Sequence, residues 1–555
     1  MPDDQPPHEQ QPTEPEHTPA GRDTSPEDAP RKQSTKLDHW SPVTEAMRTH
    51  ADPRFTKQGN PIDPPDPGTG FSRMMALLLT VCVVVFIVAW QNTPDETKQR
   101  FFFGKATEVE TNIGADKPAP GNFGQVDLMG RMFLRGKDLF KGHNMMSQID
   151  APGMDFIDED RVRLIILYAE FEGTEVALDK LEALRLEMLE LEEPAEEATI
   201  ELSSEDLVLR ELDILRTLYT EGQGALREDQ TMQLADRYGY IGRVALTHGL
   251  SDSDPLRVQL LSGFWRIMLF IVLVGLLVVL GPLAGLVLLV FGMVSFFGGR
   301  MKMRARVPAP GGSIYLETYA LFVLGFAIMA VGTFFVGNSS MPELAAFSLL
   351  VQWLLLLTVF WGLVRGARGK EWRLATGWHT GEGVLKEIGC GVLAYLASLP
   401  FYIIGVLITA ALLIAKEIIA TRLNQGVPPD PEPLVNPVFE MIAGGDLFIV
   451  LLLFVLATTW APIVEESIFR GALYRHLRGR LHWIAAALLT GILFAFMHDY
   501  GPLMVAPLIA LGFMFAFMRE WRGSIIAPMT AHFIHNFTLM AGMFTFVQLI
   551  KDPVG

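Results

Sequence analysis

Three charged residues stand in one of the most apolar parts of the sequence. Glu465, Glu466 and Arg470 belong to the segment "APIVEESIFRG", which directly follows the apolar run "LFIVLLLFVLATTW". A charged side chain at the centre of a bilayer costs roughly 2.5–3.5 kcal/mol, so three charges this close together need compensation. In a helix, Glu466 and Arg470 share a face and can pair. Glu465 is turned about 100° from Glu466 and is left free for another partner.

Two later apolar segments supply polar partners for Glu465. "GILFAFMHDY" places His498 one helical turn after Phe494, and "APMTAHFIHNF" places His532 and Asn536 on one helical face. A carboxylate, two imidazoles and a carboxamide could therefore meet between helices. Such a set either holds a divalent metal, with zinc on Glu465, His498 and His532, or positions a water molecule without a metal.

Each of these residues also has an interpretation without catalysis. Histidine and asparagine in membrane helices often form hydrogen bonds between helices. The pair Glu466 and Arg470 is either a buried structural ion pair or part of a transport path. His535 adjoins the last motif without sharing the i,i+4 spacing of His532 and Asn536, which favours a packing role. On spacing alone, catalysis and transport remain open alternatives.

The composition is that of a polytopic membrane protein of the all-α class. Half of the 555 residues are hydrophobic, only 19% are charged, and the mean hydropathy is +0.28. The net charge of -17 falls largely before residue 260, and nothing in the chain predicts binding to nucleic acid. Cys82 and Cys390 lie in or beside apolar runs, where neither a disulfide nor a Cys-rich metal site is expected. We expect a bundle of about nine or ten transmembrane helices.

The composition changes along the chain in a way that predicts five regions. Residues 1–70 are predicted to form a disordered polar tail, and residues 71–91 the first transmembrane helix. Residues 92–260 are expected to form a small, acidic and mainly helical soluble domain. Further transmembrane helices follow at 261–384, and the core with the charged motifs lies at 385–548. One apolar run, 267–298, contains the dipeptide Gly281-Pro282. It is either two short spans or one long helix.

The short loops after residue 299 alternate in basic character. "GNSSMPEL" and "HDYGP" carry no Lys or Arg, whereas "RMKMRAR", "RGARGKEWR", "RHLRGR" and "REWR" are basic. The positive-inside rule places the four basic loops in the cytoplasm. The soluble domain is then extracytoplasmic if 267–298 is one span, and cytoplasmic if it is two. The length of the run favours two spans, while a long tail without a signal sequence favours one.

Taken together, the motifs resemble the CPBP family of intramembrane proteases, which includes the type 2 CAAX prenyl endopeptidases and bacterial bacteriocin-processing and immunity proteins. The family pattern is E-E-x-x-x-R, then F-x-x-x-H, then H-x-x-x-N, on separate helices. Here it reads "EESIFR" at 465–470, "FAFMH" at 494–498 and "HFIHN" at 532–536. The resemblance covers about residues 385–548.

The resemblance also implies roles for the residues of the three motifs. The first glutamate and the histidine of the second motif would activate the attacking water. The histidine and asparagine of the third motif would stabilise the oxyanion or complete a metal site, and the second glutamate with the arginine would support them. The predicted site residues are therefore Glu465, Glu466, Arg470, His498, His532 and Asn536.

The function implied by the resemblance is that of an intramembrane endopeptidase, of the metallo- or glutamate type. Its substrates would be membrane-bound proteins or peptides in the plasma membrane of a bacterium, where the chain is a multi-pass protein in contact with the lipid bilayer. The soluble domain is expected to bind an unknown protein. Two alternatives are a catalytically silent binding or immunity protein, and a transporter that uses Glu465 and His498 as a proton relay. Inverted repeats, which are common in transporters, are not evident.

Overall fold

The computed structural model of the chain is almost entirely helical, which confirms the predicted all-α class. It describes residues 62–103, 125–137, 145–150, 157–191, 204–337, 343–424, 437–444, 447–498 and 500–551. The chain divides into two compact units, Met1–Asp52 and Pro53–Gly555, and all described residues belong to the second. The predicted polar tail therefore lies outside the described residues up to residue 61.

The shorter helices of the acidic domain lie together in the chain, between the first apolar helix and the later ones. The first part of the described chain contains β1 (Ile62–Asp63), α1 (Gly70–Gln91), α2 (Asp95–Phe103), α3 (Gln125–Arg135), α4 (Met146–Ile149), α5 (Asp158–Phe171), α6 (Thr174–Leu191), α7 (Ser204–Glu221), a 3₁₀ turn (Gln223–Ala225), α8 (Glu228–Leu246) and α9 (Pro255–Leu261). The second part contains α10 (Phe264–Phe297), β2 (Val307–Pro308), α11 (Ile314–Gly337), α12 (Glu343–Val351), a 3₁₀ segment (Gln352–Phe360), α13 (Trp361–Val364), α14 (Gly369–Thr376), α15 (Val384–Leu423), α16 (Pro437–Gly444), α17 (Leu447–Arg478), α18 (Trp483–Phe496), α19 (Ala506–Arg522) and α20 (Ile526–Ile550).

Seven helical segments within the described ranges are long and apolar enough to cross a membrane. They are Gly70–Gln91, Pro255–Phe297, Ile314–Val336, Phe347–Val364, Val384–Leu423, Leu447–Arg478 and Ile526–Ile550. The expected nine or ten spans include α18 and α19, which have only 14 and 17 residues. A spanning helix needs about 20 residues. The apolar run 267–298 is one continuous helix, α10, with Pro282 in its interior, so the single-span alternative holds.

The chain just before α1 is ordered and bound to the basic loops. Ile62–Asp63 pairs in parallel with Val307–Pro308, and Asp66 accepts a hydrogen bond of 2.7 Å from Arg475 Nη2. The predicted disorder therefore does not extend over residues 62–70, because strand pairing and a partly buried ion pair hold this segment.

This contact also relates the acidic domain to the face that carries the basic loops. Helix α1 begins at the face that carries the basic loops, crosses the membrane once, and α10 returns as a single helix. The domain between them consequently lies at the face opposite the basic loops, and the positive-inside rule predicts that this face is extracytoplasmic. Arg135 at the end of α3 donates a hydrogen bond of 3.0 Å to the carbonyl of Leu549. The domain therefore touches the last turn of α20.

Glycines bring the core helices close together. A Cβ atom at Gly512 of α19 would lie 2.7 Å from the Cα of Gly491 in α18. Gly285 of α10 similarly faces the carbonyl of Leu396 in α15. Small residues allow such close contacts between membrane helices. Helices α18 and α19 thus form a tight hairpin that packs against α17.

Candidate active site

Helix α17 carries the two glutamates on an irregular helical backbone. It is π-helical at Leu456–Trp460 and again at Glu466–Leu473, with an α-helical stretch, Ala461–Glu465, between them. Pro462 in that stretch has no N–H to donate to the preceding turn. Because π segments often occur at functional sites and reorient the side chains that follow them, the irregularity singles out this part of α17.

Glu466 and Arg470 form the predicted pair at the centre of the bundle. Arg470 Nη1 donates to Glu466 Oε1 at 2.9 Å, and neither side chain has any exposed surface. The other terminal nitrogen of the guanidinium donates to the carbonyl of Gly512 at 3.2 Å. The guanidinium carbon lies 4.4 Å from the ring centre of Phe494 and 5.2 Å from that of Phe515. The arginine is thus held by one carboxylate, one carbonyl and aromatic faces.

His532 of α20 connects the two glutamates. Its Nδ1 lies 2.9 Å from Glu466 Oε1, and its Nε2 lies 4.0 Å from Glu465 Oε2. A carboxylate paired with Arg470 accepts hydrogen bonds, so Nδ1 of a neutral imidazole carries the hydrogen and Nε2 is bare. Two acceptor atoms, Glu465 Oε2 and His532 Nε2, therefore face each other across a gap.

Glu465 differs from Glu466 in exposure and in its contacts. The side chain of Glu465 is 16% exposed. Its Oε2 is buried without a hydrogen-bond partner, and so is Oε2 of Glu466. Buried carboxylate oxygens are rarely left unsatisfied in native proteins. The two free oxygens therefore call for a water molecule, a proton or a substrate group beside His532.

His498 lies just after the end of α18, on the far side of Phe494. Its Nδ1 is 2.9 Å from the carbonyl oxygen of Phe494, so Nδ1 donates and Nε2 is bare in the neutral ring. The ring centre of Phe494 is 4.8 Å from that of His498 and 5.9 Å from that of His532. The ring of Phe494 thus packs near both histidines, and the ring of Tyr500 stacks on that of His498 with a centre distance of 6.3 Å.

Asn536 and His535 are tied to other parts of the bundle. Asn536 Nδ2 donates to the carbonyl of Ala457 at 2.8 Å, which places the amide against the first π segment of α17. His535 is buried, and its Nδ1 lies 3.4 Å from the hydroxyl of Tyr395. Its ring also packs on Tyr402 at 5.4 Å. The expectation that His535 packs rather than joins the polar cluster agrees with these contacts.

The arrangement does not fit the predicted zinc site. Across the described ranges, no group of three or more His, Cys, Asp or Glu side chains is placed to hold a metal ion. Glu465 and His532 turn acceptor atoms toward one point, but His498 makes its contacts elsewhere. A catalytic zinc takes three protein ligands and keeps an open position. The site offers two such donors.

Phe515 of α19 is a site residue that the sequence analysis missed. Its ring stacks on His532 with a centre distance of 5.4 Å and an interplanar angle of 28°. The same ring faces the guanidinium of Arg470. Phe515 therefore orients both partners of Glu466. It lies in an apolar stretch, "LGFMFAFM", where no spacing distinguishes it from a lipid-facing or core residue.

Comparison with known proteins identifies one family. Residues 447–538 match the model of the Rce1-like family, type II CAAX prenyl endopeptidase Rce1-like. This confirms the family expected for the C-terminal region. The match spans α17, α18, α19 and the first half of α20, and so includes all six predicted site residues. No curated protein and no solved structure gives a match.

Proposed function

We propose that the chain is an intramembrane endopeptidase. The premise is that the C-terminal region is of the Rce1-like type II CAAX prenyl endopeptidase kind. The chain would hydrolyse peptide bonds of membrane-associated proteins or peptides with a water molecule activated by Glu465. The observation that supports this most directly is the gap of 4.0 Å between Glu465 Oε2 and His532 Nε2. With Glu465 ionised and His532 neutral, both atoms accept hydrogen bonds and neither can donate to the other.

A water molecule is the natural bridge between these two acceptors. Placed ~2.8 Å from each, it would donate one hydrogen to Glu465 and one to His532, leaving its lone pairs free to attack. As the water oxygen bonds to the carbonyl carbon, one proton passes to Glu465. The carbon–nitrogen bond then breaks, and that proton is delivered to the leaving amine. The products are a carboxylic acid and an amine.

The other residues would then position this step. Glu466 fixes the tautomer of His532 and is itself held by Arg470. The negative charge that develops on the carbonyl oxygen needs donors. The ring of His498, which can donate from Nε2 once both ring nitrogens carry hydrogen, and the second N–H of Asn536 are the candidates that we assign to it. Compared with the roles implied by the resemblance, His532 thus moves from the oxyanion to the water, and His498 moves from the water to the oxyanion.

We also propose the setting of this reaction. The chain would act in the plasma membrane of a bacterium, and the extracytoplasmic domain would bind a further protein. A zinc ion held by the predicted ligands Glu465, His498 and His532 is the alternative to a glutamate-activated water, and it would require His498 to approach the other two residues. The two differ in their response to a chelator, because a bound metal would be removed and a bridging water would not.

The test is a cleavage assay with the full chain in proteoliposomes. A farnesylated CAAX peptide and an unmodified transmembrane peptide serve as probes, each with and without chelator. We expect Glu465→Ala to abolish cleavage, with a loss of at least 10²-fold. Glu371→Ala removes an exposed carboxylate of α14 and should leave it unchanged. A folded Glu465→Ala variant that cleaves at the wild-type rate would exclude the proposal, and a folded wild type that cleaves neither probe would favour the binding or immunity alternative.

A further inference from the structure

The hairpin of α18 and α19 is too short to cross the membrane. At ~1.5 Å per residue, its helices rise about 21 and 26 Å, whereas the hydrocarbon core is ~30 Å thick. Both open ends lie at the basic face, where Arg478 pairs with the Glu520 carboxylate at 3.1 Å and the backbone N–H of Arg304 donates to the carbonyl oxygen of Glu520 at 2.9 Å. By this measure His498, which follows α18, lies short of the far surface of the membrane.

The neighbouring helices continue well beyond this hairpin. Gly405 of α15 packs directly on the backbone of Pro507, in the first turn of α19. From Gly405, α15 runs on to Leu423, which is about 27 Å farther at ~1.5 Å per residue. Helix α20 likewise continues past Asn536 to the acidic domain, where Leu549 accepts the hydrogen bond from Arg135. These helices form walls that rise above the tip of the hairpin toward the extracytoplasmic face.

The opposite side of the site is closed. Every residue of α17 from Glu466 to His476 is buried. Below it, Tyr474 donates to Glu520 at 2.8 Å, and Arg522 pairs with Glu387 at 2.8 Å. At the hairpin tip, by contrast, Tyr500 is 40% exposed. A path for water between Glu465 and the cytoplasm would have to cross this packed layer.

The cost of unsatisfied polar groups inside a membrane limits the side from which water can reach the site. Non-helical backbone and polar side chains at membrane depth are tolerated only where protein buries them or a water-filled cavity reaches them. The basic side is packed, so the cavity lies on the other side. We infer that the site of Glu465 and His532 opens to the extracytoplasmic face, beneath the acidic domain. For the substrate, this inference rests on the proposed function. The substrate is then a membrane-anchored polypeptide whose cleaved bond lies in the outer half of the bilayer.

The test measures access to the hairpin tip from either side of the membrane. Single cysteines replace Leu503 or Met504 in a full chain that lacks both native cysteines, through Cys82→Ala and Cys390→Ala. Intact spheroplasts and inverted vesicles are treated with a membrane-impermeant maleimide. Two exposed reference positions report the two faces: Lys302→Cys in a basic loop and Ser253→Cys in the acidic domain.

The inference predicts that Leu503→Cys and Met504→Cys follow the Ser253→Cys reference. We expect at least tenfold more labelling in spheroplasts than in inverted vesicles. Labelling mainly in inverted vesicles, or in neither preparation while both references react, would overturn the inference. The result does not depend on catalysis. If the chain is labelled from outside but cleaves nothing, the inferred opening stands and the proposed function is excluded. If the chain cleaves but is labelled from inside, the proposed function stands and the inferred opening is excluded.

Discussion

Among the residues that the structure describes, a buried glutamate is held between an arginine and a histidine in two places, the acidic domain and the membrane bundle. In the domain, Glu170 has a side chain that is only 1% exposed and accepts Arg257 Nη2 at 2.5 Å and His248 Nδ1 at 3.0 Å. Arg257 Nη1 adds a bond of 3.3 Å to Oε1. Both carboxylate oxygens are therefore satisfied by protein donors.

In the bundle, the same three residue types leave the carboxylate half satisfied. Glu466 Oε1 accepts from both Arg470 and His532, while its Oε2 has no partner. Beside it, Glu465 adds another free oxygen. A fully bonded buried cluster rigidifies a fold, whereas an incompletely bonded one needs a further molecule. The cluster around Glu170 is thus typical of a structural ion pair, and the cluster around Glu466 is typical of a functional site.

The largest expected effect comes from removing the arginine of either cluster. Arg257→Met and Arg470→Met each leave a buried glutamate without its main cation, which should cost about 3–5 kcal/mol of stability. Only Arg470→Met should also abolish cleavage, because it releases Glu466 and with it His532. Thermal unfolding in detergent and the peptide assay check this. Arg368→Met, which removes an arginine whose side chain is 85% exposed, is the control. Full cleavage by a folded Arg470→Met variant would remove the distinction between the two clusters.

The domain cluster should also make stability depend on pH. Burial opposes ionisation of Glu170, but the hydrogen bonds from His248 and Arg257 outweigh it and lower its pKa from 4.5 to about 2. A lowered pKa gives stability that is complete above pH 4.5 and is lost as the pH falls toward 2. The loss should be of order 3 kcal/mol.

Limited proteolysis of the acidic domain in the full chain, at pH 5, 4 and 3, measures this effect. Glu170→Gln should be less stable at pH 5 and show a flatter pH profile. Glu187→Gln alters an exposed pair with Arg161 and should leave the profile as in the wild type. If the wild type and Glu170→Gln lose protection in parallel, the cluster does not supply the pH dependence.

A smaller effect is expected from Asn536→Ala. The variant loses the bond to the carbonyl of Ala457, which is worth about 1 kcal/mol, and frees the first π segment of α17. Because the variant also loses the second N–H that we assign to the oxyanion, cleavage should fall about 10²-fold or more. Thr538→Ala, on an exposed turn of the same helix, should change neither quantity. A loss of tenfold or less would instead restrict Asn536 to holding the first π segment of α17 in place.

The sequence predicts the pair of Glu466 and Arg470 because their contact is local and follows from helical spacing. It does not predict that His532 reaches both glutamates, since that depends on how α20 packs on α17 and on the π segments around Pro462. The depth of His498 is also a tertiary property. In sequence, its loop resembles an ordinary loop at the outer membrane surface. The packing of Pro507 on Gly405 shows that the hairpin of α18 and α19 ends well before the end of α15. The helical class, by contrast, follows directly from the long apolar runs.

The smallest effect separates the two histidines of the last motif. His535→Phe keeps a ring between Tyr395 and Tyr402 and loses one long hydrogen bond, so stability should change by less than about 1 kcal/mol and cleavage by less than threefold. His532→Phe keeps a ring on Phe515 but loses the bond to Glu466 and the acceptor that faces Glu465. It should cleave at least 10²-fold more slowly. Equal losses in the two variants would mean that ring packing, and not the unsatisfied carboxylates, determines activity.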